Sequence, residues 1–175
     1  VVAEVRPPVG LVGTVSTTLP VGAGLSSSAA LEVAVALALG ADATDPVALA
    51  RTGQRAEQRA TGVPCGIMDQ LASAAGRDGH ALLIDCHALT VTPVRVPDEV
   101  EVVVVHSGQA RTLAGSAYAE RTAECRAAEE AIGPLRLAHP GAETAIADPV
   151  VRARARHVVT ENDRVRRVGA ALAVG

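Results

Sequence analysis

The sequence predicts an α+β fold in one compact unit, and three observations point to it. A β-branched stretch, Leu11–Thr18, is ended by Pro20 and leads through a glycine-containing loop into an apolar helical segment. Ala81–Asp85 and Val91–Val96 read as two strands joined by a short turn, with Val100–Val105 as a third that is central and buried on both faces. Helical patterns with clear start and stop residues precede and follow these strands. At 175 residues the chain is long enough to bury a real core.

The core must be aliphatic. Hydrophobic residues make up 49% of the chain but aromatics only 1%, with no Phe or Trp and a single Tyr118, so Ala, Val and Leu supply the interior. The same deficit removes the aromatic platforms on which single-stranded nucleic acid stacks. The net charge is −3, and all 16 basic residues are arginines. Lysine chemistry is thus absent, and the balance argues against nucleic-acid binding. The arginines from Arg152 to Arg167, interleaved with Glu161 and Asp163, read as a solvated helical face. Cys65, Cys86 and Cys125 have neither disulfide-framework nor zinc-ligand spacing, which suits a reducing cytoplasm. The longest apolar run, Ala29–Leu39, is too short to span a bilayer and contains Glu32, and no leader pattern opens the chain, so neither a membrane nor a nucleic acid is an expected partner. A first residue of Val1 rather than Met is compatible with a fragment, a processed end or an unusual start.

The elements follow in order. In Leu19–Ala30 (LPVGAGLSSSAA), Gly22 and Gly24 allow a tight turn or a close backbone approach, and Ser26, Ser27 and Ser28 bring hydroxyls to a helix start. Unpaired N–H groups and the positive end of the helix dipole make this junction an anion site, although a glycine turn with serine caps reads equally plainly. No Gly-Lys-Ser/Thr follows, so it is not a Walker loop. The helix runs from about Ser26 to Leu39, is apolar nearly all round except for Glu32, and is expected to be buried on most sides across a mainly antiparallel sheet. Asp45 and Pro46 open a second helix that reaches about Ala60 before Gly62 and Pro64. In it Glu57 shares a face with Gly53 and Ala60, a small-residue face that can approach another element closely; a surface ion pair is the alternative role. Gly62–Gly76 is a loop entering a short helix that carries Asp69, either a cap or a functional acid. Ser116–Ile132 is a helix stopped by Gly133 and Pro134, Leu135–Ala147 is unpatterned, and Asp148 with Pro149 opens a last helix to about Leu172, with a break near His157. The five histidines share no ligand spacing and are expected to be solvated or capped.

Three stretches resemble the GHMP family of small-molecule kinases, in its galactokinase branch. LPVGAGLSSSAALEV resembles the family's ATP loop, RAEQRATGVPCGIMDQLAS the segment with the catalytic acid, and SGQARTLAGSAYAERTAEC the sugar-contacting segment. RHVVTENDRV is also similar, so the likeness runs from about Leu11 to Leu172. The resemblance implies a GHMP-kinase core that phosphorylates galactose from ATP. It implies that Gly22, Ala23, Gly24, Leu25, Ser26, Ser27 and Ser28 wrap the ATP phosphates, that Ser28 and Glu57 reach Mg²⁺, that Asp69 faces the anomeric hydroxyl and that Tyr118 contacts the sugar. Phosphoryl transfer has matching needs: an anion cradle, a hard oxygen-bound metal and a positioned hydroxyl. The sequence departs from the family in lacking the arginine-containing strand and Gly-Glu-His-Thr-Asp-Tyr run before the loop, and the second glycine-rich motif after it. The core is therefore expected to be incomplete at both ends. A catalytically inactive remnant that binds nucleotide or sugar is the alternative to an active kinase.

Overall fold

The computed structural model describes residues 1–105, 108 and 116–174. The chain divides into two compact units, Val1–Ala114 and Gly115–Gly175.

The first unit contains helices α1 (Val2–Val5), α2 (Ser27–Ala38), α3 (Pro46–Thr61) and α4 (Met68–Ala75), followed by strands β1 (His80–Asp85) and β2 (Thr90–Arg95). The helix signals act as expected at α3. Asp45 Oδ1 accepts the Ala48 N–H at 2.9 Å, Pro46 fills the first position, and Gly62 closes the helix at φ 69°. The strands form an antiparallel hairpin, with His80 opposite Arg95 and Asp85 opposite Thr90.

Helix α2 packs on α3 and α4, and α4 in turn touches β1. Val33 and Ala36 of α2 cluster with Leu49 of α3, while Ala50, Ile67 and Leu71 form an adjoining cluster against Ile84 and Val91 of the hairpin; Ala74 packs against both. Small side chains such as Ala29, Ala36, Ala50 and Gly53 let these helices come close, as an aromatic-free core requires.

Two expectations from the sequence are corrected here. Residues 11–18 and 100–105 form no strand; Val12, Val102, Val103 and Val105 are largely exposed, and β1 with β2 is the one ladder among the described residues. β-branched content favours a pleated surface only where a neighbouring strand completes it, and neither segment has one among those residues. For the same reason α2 lies on helices rather than across a sheet. It buries one face, through Ala29, Glu32, Val33 and Ala36, while Leu31 and Leu37 remain exposed.

The second unit pairs α5 (Ser116–Ile132) with α6 (Pro149–Val174), and a 3₁₀ turn at Ala142–Ala145 lies against both. Ala128, Leu135, Ile146 and Ala155 form its core. Asp148 Oδ1 caps α6 by accepting the N–H groups of Val150 and Val151 at 2.8 and 3.0 Å. The helix runs unbroken through His157, where no Pro or Gly interrupts the backbone ladder. Arg154 reaches Glu124 of α5 at 2.7 Å, and these hydrogen bonds from Arg154 and Arg121 hold the Glu124 carboxyl below the usual range. Among the described residues no helix is long and apolar enough to cross a membrane.

Candidate active site

The loop before α2 turns through left-handed backbone at Gly22 (φ 77°) and Gly24 (φ 78°), where a side chain would be strained. Ser26 follows at φ 55° and makes no side-chain cap. The serines therefore do not serve as caps. The first turn of α2 carries no acidic side chain of its own.

Ser28 turns to α3 instead. Its hydroxyl donates to Glu57 Oε1 at 2.8 Å, joining the start of α2 to a buried carboxylate 29 positions later. Glu57 Oε2 accepts from Gln70 Nε2 at 2.7 Å, and the same amide donates to Glu32 Oε2 at 3.0 Å. Gln70 is fully buried, and its Oε1 has no hydrogen-bond partner among the described residues. The small-residue face of α3 makes this convergence possible, since a Cβ on Gly53 would stand 3.1 Å from Gln70 Cγ and 3.3 Å from Glu32 Oε2. Glu32 and Glu57 have no arginine partner among the described residues.

Removal from water raises the Glu32 carboxyl above its ordinary value, against a downward pull from the Gln70 hydrogen bond; the charges of Glu57 and Asp69 add to the rise. Burial and then the adjacent Glu57 carboxylate push the Cys65 thiol up to about 12. The Cys65 carbonyl accepts from Gln54 Nε2 at 3.1 Å and Gln58 Nε2 at 2.9 Å, which ties the loop before α4 to α3.

Ser28 and Glu57 thus stand together, and Asp69 lies in the first turn of α4, beside Gln70 in sequence, with its side chain exposed. Tyr118 belongs to the second unit, in the first turn of α5, and is 43% exposed. Of the stretch that resembles a sugar-contacting segment, Ser107 and Gln109 to Gly115 lie outside the described residues, as does His106.

The pair also suits a metal. Adjacent ligands on an octahedron with metal–oxygen distances of about 2.1 Å lie about 3.0 Å apart. The 2.8 Å between Ser28 Oγ and Glu57 Oε1 fits one small cation touching both. No group of three or more His, Cys, Asp or Glu side chains that could hold a metal exists among the described residues.

The family model described as "GHMP kinases N terminal domain" matches residues 2–77. Among solved structures, the chain is similar to galactokinase from Lactococcus lactis, crystallised with galactose, at 32% identity and a TM-score of 0.80. The likeness covers 90% of this chain and 44% of that one, so the chain spans less than half the length of that galactokinase. Both findings accord with the GHMP-kinase fold class read from the sequence. The glycine loop, Ser28, Glu57 and Asp69 fall inside the matched GHMP kinase residues, and Tyr118 falls outside them.

Glu32 and Gln70 were not singled out as site residues by the sequence. Two signals could have found them: Glu32 is the lone charge in an apolar helix, and Gln70 falls on the same helical face as Ile67, Leu71 and Ala74.

Proposed function

We propose that this chain is part of a sugar kinase that transfers the γ-phosphoryl group of ATP to the anomeric hydroxyl of galactose, giving galactose 1-phosphate and ADP in galactose metabolism. The observation that carries the reading is the Ser28–Glu57 pair beside a glycine-turned helix N-terminus, in a chain similar to a galactokinase crystallised with galactose. Gly22, Ala23, Gly24, Leu25, Ser26 and Ser27 bring backbone N–H groups to the nucleotide phosphates, and the positive end of the α2 dipole favours their negative charge. Ser28 Oγ and Glu57 Oε1 hold Mg²⁺, which when bound supplies charge neutralisation on the phosphates. Asp69, exposed on α4, orients or deprotonates the attacking hydroxyl, and Tyr118 contacts the sugar. Both substrates are soluble small molecules, which suits a cytoplasmic enzyme.

The test is galactose-dependent ADP release by the longer kinase of which this chain is a part. Asp69→Asn is expected to lower kcat by about 10²- to 10⁴-fold while leaving Mg·ATP affinity nearly intact, because it removes a proton-handling group rather than a phosphate contact. Full turnover in Asp69→Asn, or ADP release indifferent to galactose, would refute the assignment.

A further inference from the structure

The fully buried amide of Gln70 has a placement that core packing alone does not explain. Its two N–H protons are directed to two carboxylates from two other helices, Glu57 Oε2 on α3 at 2.7 Å and Glu32 Oε2 on α2 at 3.0 Å. Two anionic acceptors fix which end of the amide is nitrogen, and both donors are then used. The opposite atom, Oε1, is left without a partner in the interior, a penalty that an apolar side chain of similar shape would avoid. Around this amide α2, α3 and α4 meet with no arginine paired to either acid among the described residues, and Gly53 supplies the space for them to do so.

We propose that Gln70 is the positioning residue of the cation site: it holds Glu57 by Oε2 so that Oε1 is aimed at Ser28, and Glu32 is the fixed post that holds the amide in turn. The inference rests on the reading of Ser28 and Glu57 as the metal pair. A carboxylate free to rotate would meet the cation in many orientations, whereas one oxygen tied to a buried donor leaves the other already directed. Loss of a group that orients a metal ligand lowers metal affinity by about 10- to 100-fold. Glu57 reaches the cation and Gln70 does not, so Gln70 acts only through Glu57.

The experiment is titration of the whole chain with Mn²⁺, read as loss of the free-ion electron paramagnetic resonance signal. Gln70→Met keeps the length of the side chain without its donors, and its affinity is expected to fall by about 10-fold or more. Gly53→Ala retains Gln70 but sets a methyl 3.1 Å from its Cγ, so the amide must shift; a severalfold loss is expected there. Leu71→Ala weakens the same helix from its other neighbours, and if Gln70 were only structural it would lower Mn²⁺ affinity as much as Gln70→Met. On the positioning reading it leaves affinity within about twofold, because Leu71 packs with Ala50 and Ile67 and carries no hydrogen-bond donor for either acid. Mn²⁺ binding that is absent, or indifferent to Glu57→Ala, would overturn the metal reading and this inference with it. Binding that is lost in Glu57→Ala but unchanged in both Gln70→Met and Gly53→Ala would overturn the positioning role alone.

Discussion

Glu32→Gln should make the first unit more stable at neutral pH, and its benefit should shrink as the solution is acidified. Glu32 is 8% exposed, and its one side-chain hydrogen bond among the described residues comes from an amide that also serves Glu57. Desolvation therefore dominates and raises its carboxyl above the ordinary value, with Glu57 and Asp69 adding to the rise and the Gln70 bond and the N-terminal amino group opposing it. A raised native value means that the folded state keeps a proton the unfolded chain has released. The associated stability is fully present below the unfolded value of about 4.3 and is lost as pH climbs through the raised native value. A single proton limits the slope to about 1.4 kcal/mol per pH unit inside that window. Glutamine has the same shape, no charge to desolvate, and a carbonyl that still accepts from Gln70, so the variant lacks this slope. The other carboxylates contribute nearly equally to both proteins and cancel in the difference. The lone tyrosine lies in the second unit, so the suitable assay is hydrogen-exchange mass spectrometry of α2–α4 peptides at several pH values from 4 to 8. Wild-type opening free energy minus that of the variant should fall with rising pH. A flat or rising difference would refute the account of Glu32 as an acid buried against its charge.

Leu71→Ala, in a side chain with no exposure that joins α4 to Ala50, Ile67 and the hairpin, should destabilise the first unit by about 2–5 kcal/mol in the same exchange measurement; a loss under about 1 kcal/mol would mean that this cluster collapses around the gap. With its thiol at about 12, Cys65 should react with a soluble alkylating agent at pH 8 on the order of 10³-fold more slowly than an ordinary thiol. Glu57→Ala should speed that reaction by removing the neighbouring negative charge, and labelling of Cys65 at the rate of an unfolded thiol would contradict its burial beside Glu57.

The sequence by itself determined helices α2 to α6, because the information that sets their ends is local. Asp45 with Pro46, Gly62, Gly133, and Asp148 with Pro149 act through bonds and dihedral preferences a few residues long, and each stands at a helix end. The β1–β2 hairpin was legible for the same reason. The loop glycines were legible too, since left-handed backbone at Gly22 and Gly24 is a property of those residues alone. What happens to Val100–Val105 is not local: five valines and a glutamate describe a strand only if another strand lies alongside, and the tertiary structure leaves them exposed and unpaired among the described residues. The site divides in the same way. Ser28, Glu57 and Asp69 could be chosen from motif likeness, and the small face of α3 could be read from Gly53 and Ala60. Only the packing of three helices decided that the Ser28 hydroxyl turns to Glu57 instead of capping its own helix, and that Gln70 spends both its protons on two buried acids. Those contacts join positions 13 to 38 residues apart, a separation at which helical periodicity carries no information and the fold alone sets the distance.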